Sequence, residues 1–264
     1  MKLPRKNLLT TITYSSIIIA ISFSGSAFTL TQSAHAESIM DRFKQLVNSK
    51  KVTPMPVKST VASASVQRII SRGNAEINRR LQTLDKLNSL INSATHLTAS
   101  DKSSLQSEVN STISGLSALK TKLDSDTTVA AARTDAQSIY TEYRVYALVV
   151  PKIHLIKLAD DIQATDNKLT SLAGKLQDRI TSAQSSGKDV DTLQKELTDL
   201  NAQIAAAQNI AGNIETKVIT LEPSDYNTDH KVLSGDSAQL KTARSDDQTA
   251  FNDAKNITNQ LKTL

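Results

Sequence analysis

From about residue 61 to the end of the chain, apolar residues recur three and four positions apart. That spacing places them on one face of an α-helix. The longest run is Leu193, Leu197, Leu200, Ile204, Ala207, Ala211, Ile214, Val218 and Leu221, with every step four or three. Held over four heptads, this is the pattern of helices packed side by side. Leu155, Ile162, Leu169, Leu176 and Ala183 form a second seam, each seven apart. Ile70, Ile77, Leu84 and Ile91 form a third. Leu233, Leu240, Ala243, Ala250, Ala254, Ile257 and Leu261 form the last. Strands would alternate with a period of two, and no stretch does.

The breaks between seams are readable. Thr98-Ala99-Ser100-Asp101 is a capping box, so one helix ends near His96 and another starts. Asp124-Ser125-Asp126-Thr127 punctuates the next. Ser186-Gly187-Lys188-Asp189 reads as a glycine stop followed by an N-cap Asp. Glu222 to Asn227 is a longer loop. Pro151 sits inside an apolar-periodic segment and must kink or break it, because it cannot donate to residue 147. Helices are therefore expected at about 61–96, 99–124, 128–150, 151–186, 190–221 and 228–263. The fold class is all-α: an elongated antiparallel helical bundle, read as two tandem three-helix bundles (61–150 and 151–264) sharing a Pro-kinked long helix. One long four- or five-helix bundle is the rival. An internal match at an offset of 88, with Leu81, Asp101, Leu105 and Glu108 against Leu169, Asp189, Leu193 and Glu196, favours the tandem arrangement.

The N-terminus follows a different pattern. Lys2, Arg5 and Lys6 precede an apolar stretch, and Ala34-His35-Ala36 follows it. A basic segment, an apolar segment and an A-x-A site in that order describe a secretory signal peptide over 1–36, cut after Ala36. A cut after Ala27 and an uncleaved anchor are the alternatives. Residues 37–60 read as a short amphipathic helix, bearing Ile39, Met40, Phe43, Leu46 and Val47, and a linker ended by Pro54 and Pro56.

Charge changes meaning once this segment is removed. The whole chain carries +5, but residues 1–36 hold three of the 31 basic residues and none of the 26 acidic ones. What remains is 28 against 26, a net +2 with both signs interspersed, which gives no basis for nucleic-acid binding. The absence of Cys excludes disulfides, thiol catalysis and cysteine metal sites. Seven Gly and 3% aromatics disfavour sandwiches, barrels and Gly-rich nucleotide-binding folds.

Catalytic chemistry is hard to find. His96, His154 and His230 fall in different segments without H-x-x-x-H spacing, so zinc is disfavoured. Asp124-Ser125-Asp126 and Asp189-Val190-Asp191 imitate the start of a calcium loop. However, Val129 replaces the turn Gly in the first, and Leu193 an oxygen ligand in the second. Asp160-Asp161 and Asp246-Asp247 are adjacent, hence about 100° apart on a helix and not aimed at one bond. No enzyme, cofactor or metal is expected.

The unusual stretch is Ile139 to Lys152. It holds Tyr140, Tyr143 and Tyr146 at i, i+3, i+6, with Arg144 among them. Tyrosine is frequent at binding hot spots, so these four residues are the candidate contact patch. They also read as bulky core residues at the joint between bundles. The run Tyr143-Arg144-Val145-Tyr146-x-Leu148-x-x-Pro151-Lys152, with Arg72-Gly73-x-x-x-Ile77-x-x-Arg80 upstream, resembles secreted helical proteins of bacteria. No activity is attached to that resemblance, which implies only an exported helical protein.

The expected function is that of an exported, non-enzymatic interaction or spacer module, partnered by a protein or cell-envelope component. Alternatives are a membrane-associated or pore-forming protein using residues 37–51 or 145–159, and a bundle-type carrier or enzyme. Long seams could also pair between two chains, giving a dimer.

Overall fold

The computed structural model describes the backbone of residues 58–264 and the side chains from residue 63. The expected signal peptide and most of the 37–60 leader lie outside the described residues. The elements are α1 (Lys58–Ser93), α2 (Ala99–Asp124), α3 (Val129–Thr141), a π turn (Val145–Val149), α4 (Val150–Ser185), α5 (Asp191–Ile219), α6 (Pro223–Thr228) and α7 (Asp236–Thr263). No strand occurs among the described residues, so the chain is all-α.

The heptad seams are what the helices bury. All nine residues from Leu193 to Leu221 in the longest run are buried, as are Ile70, Ile77, Leu84 and Ile91. Each fully buried Leu or Ile contributes about 2 kcal/mol of transfer free energy. Polar pairs beside the seams set the register. Between α1 and α2 they are Asn74–Asp124 (2.6 Å), Asn78–Lys120 (3.2 Å), Asn88–Asn110 (3.1 Å) and Asn92–Gln106 (2.6 Å). Numbers rise along α1 as they fall along α2, so the two are antiparallel. The same holds for α5 and α7, through Glu196–Gln260 (2.8 Å) and Gln203–Asp253 (3.2 Å).

Helices α1, α2 and α3 pack together, and α4, α5 and α7 pack together. Helix α4 links the groups. Its N-terminal third continues the line of α3 along α2, as successive contacts Lys122–Asp135, Gly115–Tyr143 and Glu108–Lys152 show. One hydrophobic cluster accordingly runs from Val66 on α1 to Ala243 on α7. A second fills the far part of α4, α5 and α7, from Leu169 to Ile257.

Several helix ends follow the expected chemistry. Thr98 is the N-cap of α2, and its hydroxyl accepts the Asp101 N–H at 3.0 Å. After α4, Gly187 takes φ 77°, Gly187 N–H donates to Gln184 and Lys188 N–H to Ala183, a Schellman stop. Other ends differ from expectation. The helix expected over 128–150 ends at Thr141. Arg144 then adopts left-handed φ 41°, and the π turn follows. Pro151 lies in the first turn of α4, where a missing N–H is tolerated, and the distortion it demands is taken up just upstream. There Val150 N–H reaches the Val145 carbonyl, five residues back. Asp189 is not the N-cap of α5; Val190 is, and Asp189 instead accepts the Asp191 N–H at 3.2 Å. The expected loop from Glu222 to Asn227 contains α6, started by Pro223 and by the Glu222 N–H donating to Asp225 at 2.8 Å. The last helix begins at Asp236, because Gly235 at φ 87° interrupts the run. Leu233 therefore packs from a turn.

Two carboxyl groups occupy seam positions. Asp166 lies between Ile162 and Leu169 on α4, and Asp247 between Ala243 and Ala250 on α7. They are 0% and 1% exposed and interact directly where the two hydrophobic clusters divide. Burial first, and then the partner carboxyl, push the Asp166 acid up to about 9; burial also raises Asp247. A carboxyl that keeps its proton in the folded state but loses it when unfolded stabilises most in acid. That stability is lost as pH rises from about 4 toward 9. We expect Tm to fall over this window. Asp166→Asn should flatten the dependence and raise Tm at pH 8, measured by circular dichroism melts. An unchanged slope in the variant would contradict the assignment.

Candidate functional site

The four residues singled out in the sequence lie near the join of the two helix groups but do not make one exposed patch. Tyr140 is half-buried on α3, under the guanidinium of Arg80 at 4.7 Å from the ring centroid. Tyr146, on the π turn, also lies against that guanidinium, at 5.0 Å. Arg80 is 4% exposed, and its Nη1 also donates to Glu76 Oε2 at 2.8 Å. Tyr143 lies against Gly115, where an added Cβ would stand 2.6 Å from the ring. Arg144 points elsewhere: its Nε donates to Asn227 at 2.6 Å and its guanidinium stacks on Tyr226 at 5.1 Å. Asn227 in turn donates to the Thr141 carbonyl at 2.9 Å, holding α6 against the end of α3. Of the four, Tyr146 alone is exposed, at 42%, with its hydroxyl 3.3 Å from that of Thr83.

Neighbouring motif residues also build this joint. Lys152 is buried, pairs with Glu108 at 2.7 Å and donates to the Leu221 carbonyl at 2.9 Å, so it ties α4 to α2 and to the end of α5. Gly73 lets α2 approach α1, since a Cβ there would meet Leu123 at 2.4 Å. Within 145–159, Val145, Leu148, Val149, Ile153, Leu155, Ile156 and Ala159 lie in the core. No helix among the described residues is long and apolar enough to cross a membrane.

A second polar site was not foreseen. Asp101 of α2, Asp160 of α4 and Glu215 of α5 each bring an oxygen within 4.8 Å of the other two. Asp101 and Asp160 are 7% and 2% exposed. The loop after α1 helps position them. Thr98 N–H donates to Asp160 Oδ2 at 3.2 Å, and the Thr98 hydroxyl donates to the Asp101 carboxylate. Gln163 Nε2 donates to Glu215 Oε2. Asp160 Oδ1 is buried without a hydrogen-bond partner. The nearby basic side chains go elsewhere: Lys157 pairs with Asp161 at 2.6 Å, and His96 Nδ1 lies 2.9 Å from the same carboxylate. Burial chiefly, with Asp101, Glu215 and Asp161 adding to it, pushes Asp160 up to about 7; its hydrogen bond from Thr98 opposes them. Burial also raises Glu215. At an effective dielectric near 20, each pair of like charges at this spacing costs on the order of 3 kcal/mol. Adjacency in sequence misled here. Asp160 and Asp161 diverge as expected on a helix, yet Asp160 meets carboxylates from two distant segments.

The other sequence candidates have local partners. Asp124 accepts from Asn74 at 2.6 Å, and Asp189 accepts the Asp191 N–H at 3.2 Å. His154 is half-buried, and burial, then Lys157, lower its pKa and keep it neutral at pH 7. Two shallow hollows among the described residues are open to solvent. One is lined by the Ala64–Arg72 face of α1, the other by the ends of α4 and α7 near Asp178 and Leu264. No family model, curated protein or solved structure matches the chain.

Arg80 joins three elements, so its removal has a measurable cost. Arg80→Ala should lower the unfolding free energy by about 2–4 kcal/mol, through two lost cation–π contacts, the lost pairing with Glu76 (which keeps Arg79 at 2.5 Å) and the space left by a buried side chain. Tyr146→Phe, which loses only an exposed hydroxyl contact, should cost less than about 0.5 kcal/mol. Urea unfolding measures both, and an Arg80→Ala protein as stable as the wild type would contradict the joint described.

Proposed function

We propose that the protein is an exported, non-enzymatic helical-bundle module that acts by surface contact, as an interaction or spacer element toward a protein or cell-envelope component. Tyr146 carries the proposal. It is a large exposed aromatic, held in one orientation by Arg80 beneath it and Thr83 beside it. A rigid aromatic loses little conformational freedom on binding and presents both an apolar face and a hydroxyl. Tyr140, Tyr143 and Arg144 belong to the same element as its supports. The polar surface, the filled seams and the near-neutral charge expected after signal removal fit a protein partner better than nucleic acid.

The test is co-sedimentation of the purified protein with cell envelopes of the source organism. Wild type should pellet with the envelopes, and Tyr146→Ala, with an unchanged circular dichroism spectrum, should lose about tenfold in apparent affinity. Equal sedimentation of the two would contradict the role of Tyr146. Flotation with vesicles of anionic lipid would instead favour the membrane-associated reading.

A further inference from the structure

We infer that Asp101, Asp160 and Glu215 form a binding site for a hard divalent cation, calcium by its donor chemistry, which would staple the first bundle to the second. The three carboxylates come from α2, α4 and α5, and one oxygen of each lies within 4.8 Å of the others. The independent observation is Asp160 itself: it is 2% exposed, and its Oδ1 is buried with no hydrogen-bond partner. A buried carboxylate oxygen needs a proton, a donor or a cation, because leaving it bare costs the desolvation of a charged group.

The donor set is all oxygen, with no imidazole or thiolate among the three, which suits calcium or magnesium rather than zinc or copper. Three carboxylates on three separately anchored helices favour calcium. Calcium accepts irregular geometry at bond lengths of about 2.4 Å, while magnesium demands a tight octahedron near 2.1 Å. Calcium's remaining positions are open to further oxygens, water included. The anchoring donors also have the arrangement of a supporting shell. Thr98 serves both Asp101 and Asp160, and Gln163 holds Glu215. Each carboxylate keeps lone pairs for an ion after those bonds are made. Bound there, a cation would exchange mutual repulsion for shared attraction and join Asp101 of one helix group to Asp160 and Glu215 of the other. This site stands apart from the contact surface at Tyr146.

The test is calorimetric titration of the metal-stripped protein with calcium chloride and with magnesium chloride at pH 8, beside thermal unfolding in each salt. One calcium per chain is expected, with magnesium at least about tenfold weaker. Calcium at about 5 mM should raise Tm by roughly 5 °C over chelator. Asp160→Asn should fold, melt no lower than the wild type in chelator because one repelling charge is gone, and show no calcium response. Glu215→Gln, at a part-exposed position, should weaken calcium about tenfold or more and decides the matter if Asp160→Asn does not fold. No saturable calcium binding by the wild type would overturn the proposal. So would wild-type calcium binding by either variant, which would place the ion elsewhere, and magnesium binding tighter than calcium would overturn the calcium assignment.

Discussion

Helix α4 must serve two cores with one set of side chains, and the rest of the structure follows from that constraint. Its first third completes the packing of α1 and α2, while the remainder packs with α5 and α7. Because α3 has already run beside α2, the chain has to correct its register before α4 begins. It does so within a few residues, by a left-handed Arg144, a π turn and a proline in the first turn. A left-handed non-glycine residue costs roughly 1–2 kcal/mol, and Asn227 and Tyr226 hold it there. The strained link and the side chains around it are one device. Tyr143 requires Gly115, Tyr146 requires Arg80, and Lys152 requires Glu108.

The acids in the interior divide by what neutralises them. Asp135 and Asp236 meet lysines, and their burial is compensated. Asp166 and Asp247 face each other with no hydrogen-bond donor on their oxygens, so a shared proton is their natural partner until the pH approaches about 9. Asp101, Asp160 and Glu215 face each other between helix groups, with hydrogen bonds that orient them but do not cancel their charge. A polar layer inside a bundle lowers its stability while penalising shifted registers, since a slip would bury those groups against Leu and Ile. The position of the Asp166–Asp247 layer, between two otherwise closed apolar clusters, fits that role.

Much of the fold was legible because helix packing is encoded locally. Spacing of three and four identified the buried faces, and Thr98-x-x-Asp101 and Gly187 identified two boundaries through their hydrogen-bonding chemistry. Local pattern failed where a tertiary contact overrode it. Nothing near residue 141 says that α3 stops there, because Tyr140, Tyr143 and Tyr146 keep helical spacing through the break. The instruction lies in Gly115, Asn227 and Tyr226, far along the chain. The tyrosines were visible as unusual, but their division into two half-buried supports and one exposed ring depends on Arg80, sixty residues upstream of Tyr140. The acidic trio had no signal at all. Its members are separated by more than fifty residues, and a metal-binding motif is recognisable in sequence only when its ligands lie close together. The upstream Gly73 and Arg80 and the run from Tyr143 to Lys152 have one structural role in common, because all of them shape the joint between the helix groups.

The proposed surface module would work as a rigid body only if its two helix groups act together, and the continuous cluster from Val66 to Ala243 is what would couple them. The most direct measurement is equilibrium urea unfolding followed at once by helical circular dichroism, which reports the whole chain, and by tyrosine emission, which reports the joint. The chain has no Trp to mask that emission. Coupling through α4 gives coincident transitions with a single midpoint. Separate transitions, with the tyrosine signal lost while half of the helical signal persists, would show that α4 joins two independent bundles and contradict the account.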